Sequence, residues 1–181
     1  MDCAVEVIAE EGFAQASLSR IAQRAGVAKS VVLYHFANKE ELVEQVLMAV
    51  STASASELPA RLAGVRTARD KLRVLLETLI GFIDAHRTQS LAALETWNMI
   101  RSQPARTRLS AQTNPDEGIE QLLAEGQRNG EFGDFDPHVV AIMVRQAVDA
   151  ASLEAAIHPD LDLTAFAAEL AAMFDRATRR S

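Results

Sequence analysis

The chain has 181 residues, of which 49% are hydrophobic, 24% charged and 5% aromatic. These proportions are those of a globular protein, and they exclude collagen-like, disordered and low-complexity chains. Lysine and arginine number 18 against 25 aspartates and glutamates, which leaves a formal net charge of −7. Taken as a single number, this charge argues against a nucleic-acid partner, because phosphates attract basic surfaces.

Cysteine content and hydropathy exclude further classes. Cys3 is the only cysteine, so neither an internal disulfide nor a CxxC metal or redox motif is possible. No apolar run approaches the roughly 20 residues that a membrane-spanning helix needs. The acidic N-terminus also differs from the basic start of a signal peptide. We therefore expect a cytoplasmic protein with no membrane segment.

Helical periodicity recurs along the whole chain. Its clearest instance is residues 72–83, where apolar side chains recur at i, i+3, i+4, i+7, i+8 and i+11. Capping patterns at Asn38 with Glu41, at Asn114–Pro115 and at Asp136–Pro137 indicate helix starts. No segment alternates like a strand. The pattern predicts about nine helices, at 3–11, 17–24, 28–35, 38–57, 67–86, 89–102, 116–128, 138–157 and 163–178.

Expected breaks divide these helices into two groups. They fall at Gly12, Gly26, the Ser/Ala stretch 51–56 with Pro59, residues 103–115, residues 129–137 and His158–Pro159. The prediction is an all-α protein with a three-helix N-terminal domain at 1–45 and a larger helical bundle at 46–181.

Residues 17–39 carry the strongest functional signal. This segment contains four basic residues and no acidic one, at Arg20, Arg24, Lys29 and Lys39. Within it, Ala22, Gly26 and Val32 have the spacing of a helix-turn-helix: a small residue for close packing, a glycine for the turn, and an apolar anchor. The spacing alone also arises by chance in helical proteins. Its coincidence with a basic block favours a second helix that enters the major groove of DNA.

Residues 4–42 as a whole resemble the DNA-binding domain of TetR-family transcriptional regulators. The matching motifs are an apolar helix ending in EEGF, the IAxxAGV block, the YHF triplet and the NKEEL start of a fourth helix. The remainder resembles the family in its size and helical character. The resemblance implies a homodimer that represses promoters by binding double-stranded operator DNA and is released when a small-molecule effector binds.

The resemblance also assigns roles to residues of the two helices that form the helix-turn-helix, 17–24 and 28–35. Ser17 would cap helix 17–24 and contact a backbone phosphate. Lys29 and Ser30 would open the recognition helix and contact bases or phosphates. Val31 can touch a thymine methyl group but cannot hydrogen-bond a base.

Residues at the end of the recognition helix complete the implied interface. Tyr34 would contact a base or the sugar-phosphate backbone, and His35 and Lys39 would hold phosphate. The alternative for Tyr34 and His35 is a core pair that packs on the first helix. Phe13 and Phe36 are assigned to the core.

Two features depart from the family pattern. Leu33 stands where the family commonly has a tyrosine, so a phosphate hydrogen bond of about 1 kcal/mol is absent. The chain also begins about three residues before the first helix pattern, without the basic arm that many members carry. Either the affinity for DNA is lower for want of those charges, or the native chain starts further upstream.

The larger bundle is expected to bind the effector and to form the dimer. Phe82, Trp97 and Met143 are the candidate effector-pocket residues, with plain core packing as the alternative for each. Helices 138–157 and 163–178 carry apolar residues on more than one face. A symmetric four-helix contact between two subunits would cover the second face, the alternative being a large monomeric core.

The sequence contains no recognisable catalytic or cofactor motif. Glu154 and His158 form an i, i+4 pair that could supply half a metal site, but a solvated helix cap is the ordinary interpretation. No enzyme activity, metal or cofactor is predicted. The leading hypothesis is a DNA-binding repressor, and the alternative is a helical ligand-binding or interaction protein whose DNA binding is weakened or lost.

The net charge is compatible with DNA binding once it is divided along the chain. Residues 1–110 hold 13 basic and 12 acidic side chains, residues 111–175 hold 2 and 13, and the last six residues add three arginines. The acidity therefore belongs to the C-terminal body, which we expect to face away from the duplex.

Overall fold

The computed structural model describes residues 2–102 and 116–180, and every extended regular element in these residues is a helix. The only pairing of strand type in them is an isolated bridge between Phe132 and Arg179. The described helices are α1 (Asp2–Gln15), α2 (Leu18–Arg24), α3 (Lys29–His35), α4 (Lys39–Ser56), α5 (Leu58–Leu62), α6 (Ala68–Ala85), α7 (Arg87–Ser102), α8 (Glu117–Arg128), α9 (Pro137–Ile157) and α10 (Leu163–Thr178). The all-α prediction is confirmed.

The helices pack into two units. Residues 2–53 and 86–102 form the first, here called the N-terminal unit, and residues 54–85 and 116–180 form the C-terminal unit. Helix α7 thus joins the N-terminal helices, whereas the sequence pattern predicts that all residues after 45 belong to the larger bundle. It does so because α7 packs along α1 and fully buries Ala92 in the N-terminal core. As a division of functions, the boundary after residue 45 stays a prediction.

The N-terminal unit is built on short helices around a small apolar core. Val7, Ile8 and Val46 are fully buried there, with Ile21 and Val32 from the helix-turn-helix beside them. The expected break at Gly12 is present as a kink, since this residue has φ 76° and ψ 157° inside α1. Positive φ is readily accessible only to glycine, so Gly12 allows the backbone to kink inside α1, three residues before this helix ends.

The C-terminal unit is centred on α6, which contacts α5, α8, α9 and α10. The predicted apolar stripe of α6 is its core face, where Leu72, Leu75, Leu76, Ile80 and Ile83 are all buried. Each such side chain contributes about 2 kcal/mol or more to stability when it leaves water. The stripe therefore explains why this helix lies at the centre.

Helix boundaries agree with the capping signals where these are described. The Asp136 side chain accepts hydrogen bonds from the backbone N–H groups of His138 (2.9 Å) and Val139 (3.4 Å) at the start of α9. The Ser/Ala stretch 51–56 continues α4 rather than interrupting it, and Pro59 instead opens the unpredicted helix α5. The expected start at Asn114–Pro115 and the whole of the expected break at 103–115 lie outside the described residues.

The described residues contain neither a membrane-spanning helix nor a metal-ligating cluster. None of the helices there is both long and apolar enough to span a membrane. Residues 2–102 and 116–180 also contain no cluster of three or more metal-ligating side chains. His158 and Glu154 form an exposed pair 3.5 Å apart at the end of α9.

Candidate nucleic-acid interface

The turn between α2 and α3 has the backbone geometry that a helix-turn-helix requires. Gly26 adopts φ 68°, the Gly26 N–H donates to the Gln23 carbonyl, and the Val27 N–H donates to the Ala22 carbonyl. This pair of bonds is a Schellman motif, which satisfies the last carbonyls of α2. Ala22 and Val32 are buried on either side of the turn, as their spacing predicts.

The N-terminus of α2 is capped as the sequence predicts. The Ser17 hydroxyl oxygen accepts a hydrogen bond from the Arg20 backbone N–H at 3.2 Å, and Ser17 has extended backbone angles. Such a cap leaves the side chain and the neighbouring N–H groups at the surface. Contact between Ser17 and phosphate stays a prediction.

Helix α3 presents its predicted contact residues to solvent. Tyr34 is 86% exposed and Val31 is 45% exposed, while Lys29 and Ser30 are exposed at the first turn. His35 is exposed as well, and its ring meets the Tyr34 ring edge-on with centroids 5.2 Å apart. The alternative in which Tyr34 and His35 form a core pair is therefore wrong.

The apolar residues on and near α3 differ in their burial. Phe13 and Phe36 are half-buried against the N-terminal core, in agreement with their assignment. Leu33 is 44% exposed, so the residue that departs from the family pattern lies on the surface of the recognition helix. It adds apolar area there without a hydrogen-bonding group.

Lys39 is less available than its predicted role implies. Its ammonium group donates to the Phe13 carbonyl and lies 4.0 Å from the centroid of the Phe13 ring. Burial, which disfavours the charged form, lowers the pKa of this lysine, and the nearby Glu40 carboxylate partly opposes the shift. Lys39 ties α4 to the end of α1, and a phosphate contact from it stays a prediction.

The arginines of α2 pair with carboxylates of α1, an arrangement that is not among the sequence-based predictions. Arg20 Nε lies 2.9 and 3.3 Å from the two carboxylate oxygens of Glu11. Arg24 contacts both Glu10 and Glu6, the latter at 3.3 Å. The Arg24 hydrogen bond lowers the pKa of Glu10, and the same contact raises the pKa of Arg24. The spacing of Glu6 and Glu10 at i, i+4 on one helix face was the available signal.

The basic block is consequently less positive in the fold than in the sequence. Of its four cations, Arg20 and Arg24 are ion-paired and Lys39 is held by Phe13. Within the described structure, Lys29 alone among the four has neither an ion pair nor a hydrogen bond from its side chain.

The candidate effector-pocket residues are not brought into one unit. Trp97 belongs to the N-terminal unit, and its indole Nε1 is buried without a hydrogen-bond partner among the residues that the structure describes. Phe82 and Met143 belong to the C-terminal unit, where Phe82 is half-buried and Met143 is 52% exposed. A surface cleft of about 840 Å³ in the C-terminal unit is lined by neither of these two residues; it lies beside the Arg69–Asp175 ion pair. The effector assignment therefore stays a prediction.

The outer face of α9 is apolar and exposed. Val139, Met143, Leu153 and Ile157 recur at i, i+4, i+14 and i+18, and each is at least 46% exposed. At 3.6 residues per turn, these spacings place the four side chains along one stripe of the helix, with Gln146 and Ala150 between the two pairs. The opposite face, with Ala141, Val144 and Ala151, is buried in the C-terminal core.

Comparison with known families and structures identifies the chain. Residues 1–46 match the family model described as bacterial regulatory proteins, tetR family, and residues 65–152 match the tetracyclin repressor-like C-terminal domain. The fatty acid metabolism regulator protein of Bacillus subtilis is 26% identical over 153 residues, which cover 82% of this chain and 77% of the relative.

Solved structures show the same fold along nearly the whole chain. The transcriptional regulator FadR from Bacillus subtilis, in complex with stearoyl-CoA, has a TM-score of 0.79 at 22% identity and covers 95% of this chain and 94% of its own. The ketosteroid transcriptional regulator KstR2 of Mycobacterium tuberculosis has a TM-score of 0.80 at 19% identity and covers 99% and 93%. These relatives are transcriptional regulators, not enzymes. With family models matching both its N-terminal and C-terminal regions, the chain belongs to the TetR family of bacterial regulatory proteins.

Proposed function

We propose that this regulator represses transcription by inserting α3 into the major groove of an operator, and that a small-molecule effector releases it. The observation that carries the proposal is the exposed face of α3, which projects Lys29, Ser30, Val31 and Tyr34 from a correctly formed helix-turn-helix turn. A major groove accepts one such helix, with its N-terminal residues at the base edges.

The chemistry of α3 predicts which base features are read. The helix sequence KSVVLYH contains no arginine, asparagine or glutamine, so Lys29 is its one side chain suited to bind a base, guanine, through two hydrogen bonds. Val31 offers apolar contact to a thymine methyl group, and Ser30 offers a single hydrogen bond. Recognition of bases therefore depends on one guanine contact and on thymine methyl groups, with no paired hydrogen bonds to adenine.

We infer that two copies associate through α9 and α10. The stripe of Val139, Met143, Leu153 and Ile157 supports this, because exposed large apolar side chains along one helix face favour burial against a partner. A two-fold contact repeats the same stripe on both copies, and it would present two recognition helices to successive major grooves. The monomeric alternative leaves this stripe in water.

The effector is expected to bind in the helical body and to act through the relative placement of the two recognition helices. Relatives differ in their ligands: one solved structure holds stearoyl-CoA and another, from Saccharomonospora viridis, holds choline. Release requires only that the effector bind more tightly to a dimer whose recognition helices no longer fit the operator.

A mobility-shift titration with the DNA upstream of the protein's own gene tests the assignment. Wild type should give a saturable shifted band that excess unrelated DNA does not remove. The Lys29→Ala, Tyr34→Ala double variant should lose at least about tenfold in affinity at matched salt, since it removes one charge and one base or backbone contact. Gln45→Ala, at an exposed position of α4, is the matched control and should bind like wild type.

Equal binding by the double variant and wild type would refute the placement of α3 in the groove. Absence of any saturable band from wild type, with correctly folded protein and the whole upstream region, would refute operator binding at that site.

A further inference from the structure

We propose that the carboxylates of α1 compete with DNA phosphates for Arg20 and Arg24, and that α1 thereby limits the affinity of the protein for DNA. The inference rests on the proposed DNA-binding function and concerns residues outside the recognition helix. It assigns Glu6, Glu10 and Glu11 as positioning residues, which act on DNA through the arginines that they hold.

The contacts show that α1 binds part of each guanidinium: Nε of Arg20, whose Nη1 instead donates to Gln23 of α2, and both Nη groups of Arg24. Arg20 approaches both oxygens of Glu11, and Arg24 reaches the carboxylates of Glu10 and Glu6. A guanidinium bound to carboxylate oxygens presents those same N–H groups to no other anion. In the free protein, therefore, a phosphate has to compete with Glu11 for Nε of Arg20 and with Glu10 and Glu6 for the Nη groups of Arg24.

The pairs are nevertheless placed where a phosphate could displace the carboxylates. The Arg20 side chain is 54% exposed and that of Arg24 is 35% exposed, so both pairs are solvated and exchange readily. The two residues are four apart and lie on one face of α2, the helix that crosses the DNA backbone in a helix-turn-helix. They are the two cations of the basic block that this helix carries, since Lys29 belongs to α3 and Lys39 to α4.

The charge balance makes the competition unfavourable for DNA. Two arginines face three carboxylates in this cluster, so its formal charge is negative. Lys29 is then the cation of the basic block that meets phosphate unhindered. The predicted consequence is weak binding with a shallow dependence on salt, because few counterions leave the DNA.

The test measures the affinity gain from Glu11→Gln in two backgrounds. The probe is a fluorescein-labelled mixed-sequence duplex of about 30 base pairs, titrated by anisotropy at several salt concentrations between about 50 and 200 mM. With Arg20 present, Glu11→Gln should raise affinity severalfold and steepen the log–log salt dependence by about 0.9 per bound protomer, the value for one added phosphate contact. In an Arg20→Gln background, the same substitution should give little of that gain.

This design separates competition from simple repulsion of DNA by acidic groups. Repulsion would give the same gain with and without Arg20, since independent effects add. Glu44→Gln is the charge-matched control: it removes one exposed carboxylate from α4 of the same unit, with no arginine partner in the described structure. It should change neither affinity nor salt dependence by more than a small fraction of the Glu11→Gln effect.

A second version of the test uses Arg24. Glu6→Gln with Glu10→Gln should raise affinity in the presence of Arg24 and much less with Arg24→Gln. Thermal melting followed by circular dichroism checks that every variant remains folded. The Arg24 version replaces the Arg20 version if a Glu11 variant is unstable. Equal gains in both backgrounds at either arginine, or gains no larger than the Glu44→Gln control, would overturn the inference.

Failure of the inference and failure of the proposed function give different results. If wild type binds its upstream DNA and the glutamine variants bind no more tightly, only the inference is wrong. If neither wild type nor the variants bind any duplex, DNA binding and the inference are both wrong.

Discussion

Gly126 supports the sharpest prediction about the C-terminal unit. This residue lies in α8, where an added Cβ would stand 2.2 and 2.4 Å from two ring atoms of Phe132 and 2.8 Å from the Cβ of Ala68. Ordinary carbon contacts are about 3.5–4.0 Å, so the ring would have to move by more than about 1 Å. Phe132 is 3% exposed and packs on Phe135, with little room to retreat.

The magnitudes of two opposing effects decide the outcome of Gly126→Ala. Alanine is favoured over glycine inside a helix by about 0.8–1.0 kcal/mol. Overpacking of a core costs about 1–3 kcal/mol, and the upper end applies here because the clash involves a buried ring. We therefore expect a net destabilisation of about 1–2 kcal/mol, which lowers the melting temperature by roughly 2–8 °C for a chain of this size.

Gly118 in the same helix provides the control. An added Cβ there meets nothing within 4 Å, so Gly118→Ala should be neutral or should stabilise the protein by up to about 1 kcal/mol. Thermal and urea unfolding followed by circular dichroism would measure both variants. If Gly126→Ala were as stable as Gly118→Ala, the close packing of Phe132 on α8 would be refuted.

Three other measurements test the dimer, the charge on α9 and the base contacts. Met143→Lys should convert the dimer into a monomer, as measured by light scattering, whereas Met48→Lys, at a similarly exposed position of α4, should leave it dimeric. If both variants were dimers, the α9 stripe would be excluded from the dimer contact. The Glu120 hydrogen bond raises the pKa of His138. His138 therefore stabilises the fold below its unfolded pKa near 6.5, and the stabilisation is lost as pH rises through the higher folded value. His138→Gln should thus lower the melting temperature at about pH 5.5 and leave it unchanged at about pH 8.5, and an equal loss at both would contradict the pairing. Replacing thymine by uracil in the operator should weaken wild type and leave Val31→Ser unaffected, whereas equal weakening of both would remove Val31 from the interface.

Local signals in the sequence accounted for most of the helices. Periodicity located α6 and its buried face, Asp136–Pro137 located the start of α9, and Gly26 located the turn of the helix-turn-helix. Each signal acts within a few residues of itself through backbone hydrogen bonds or one helix face. The short helix α5 was missed because its five residues are too few to show a period.

Contacts between segments that are distant along the chain could not be predicted from such local signals. Lys39 is predicted as a phosphate ligand, yet its ammonium group is held by the Phe13 carbonyl, 26 residues earlier in the chain. The assignment of α7 to the N-terminal unit likewise depends on how α1 and α7 pack. Neither arrangement leaves a periodic or capping pattern in the chain.

The charge shows the same division between sequence and structure. From the sequence alone, the helix-turn-helix is a local block of four basic residues in an acidic protein, and this was enough to predict a DNA partner. Only the tertiary structure decides how many of those charges can reach DNA, because it brings Glu6, Glu10 and Glu11 of α1 against the arginines of α2. A net charge is a sum over residues, but electrostatic availability depends on the distances between them, and folding sets those distances.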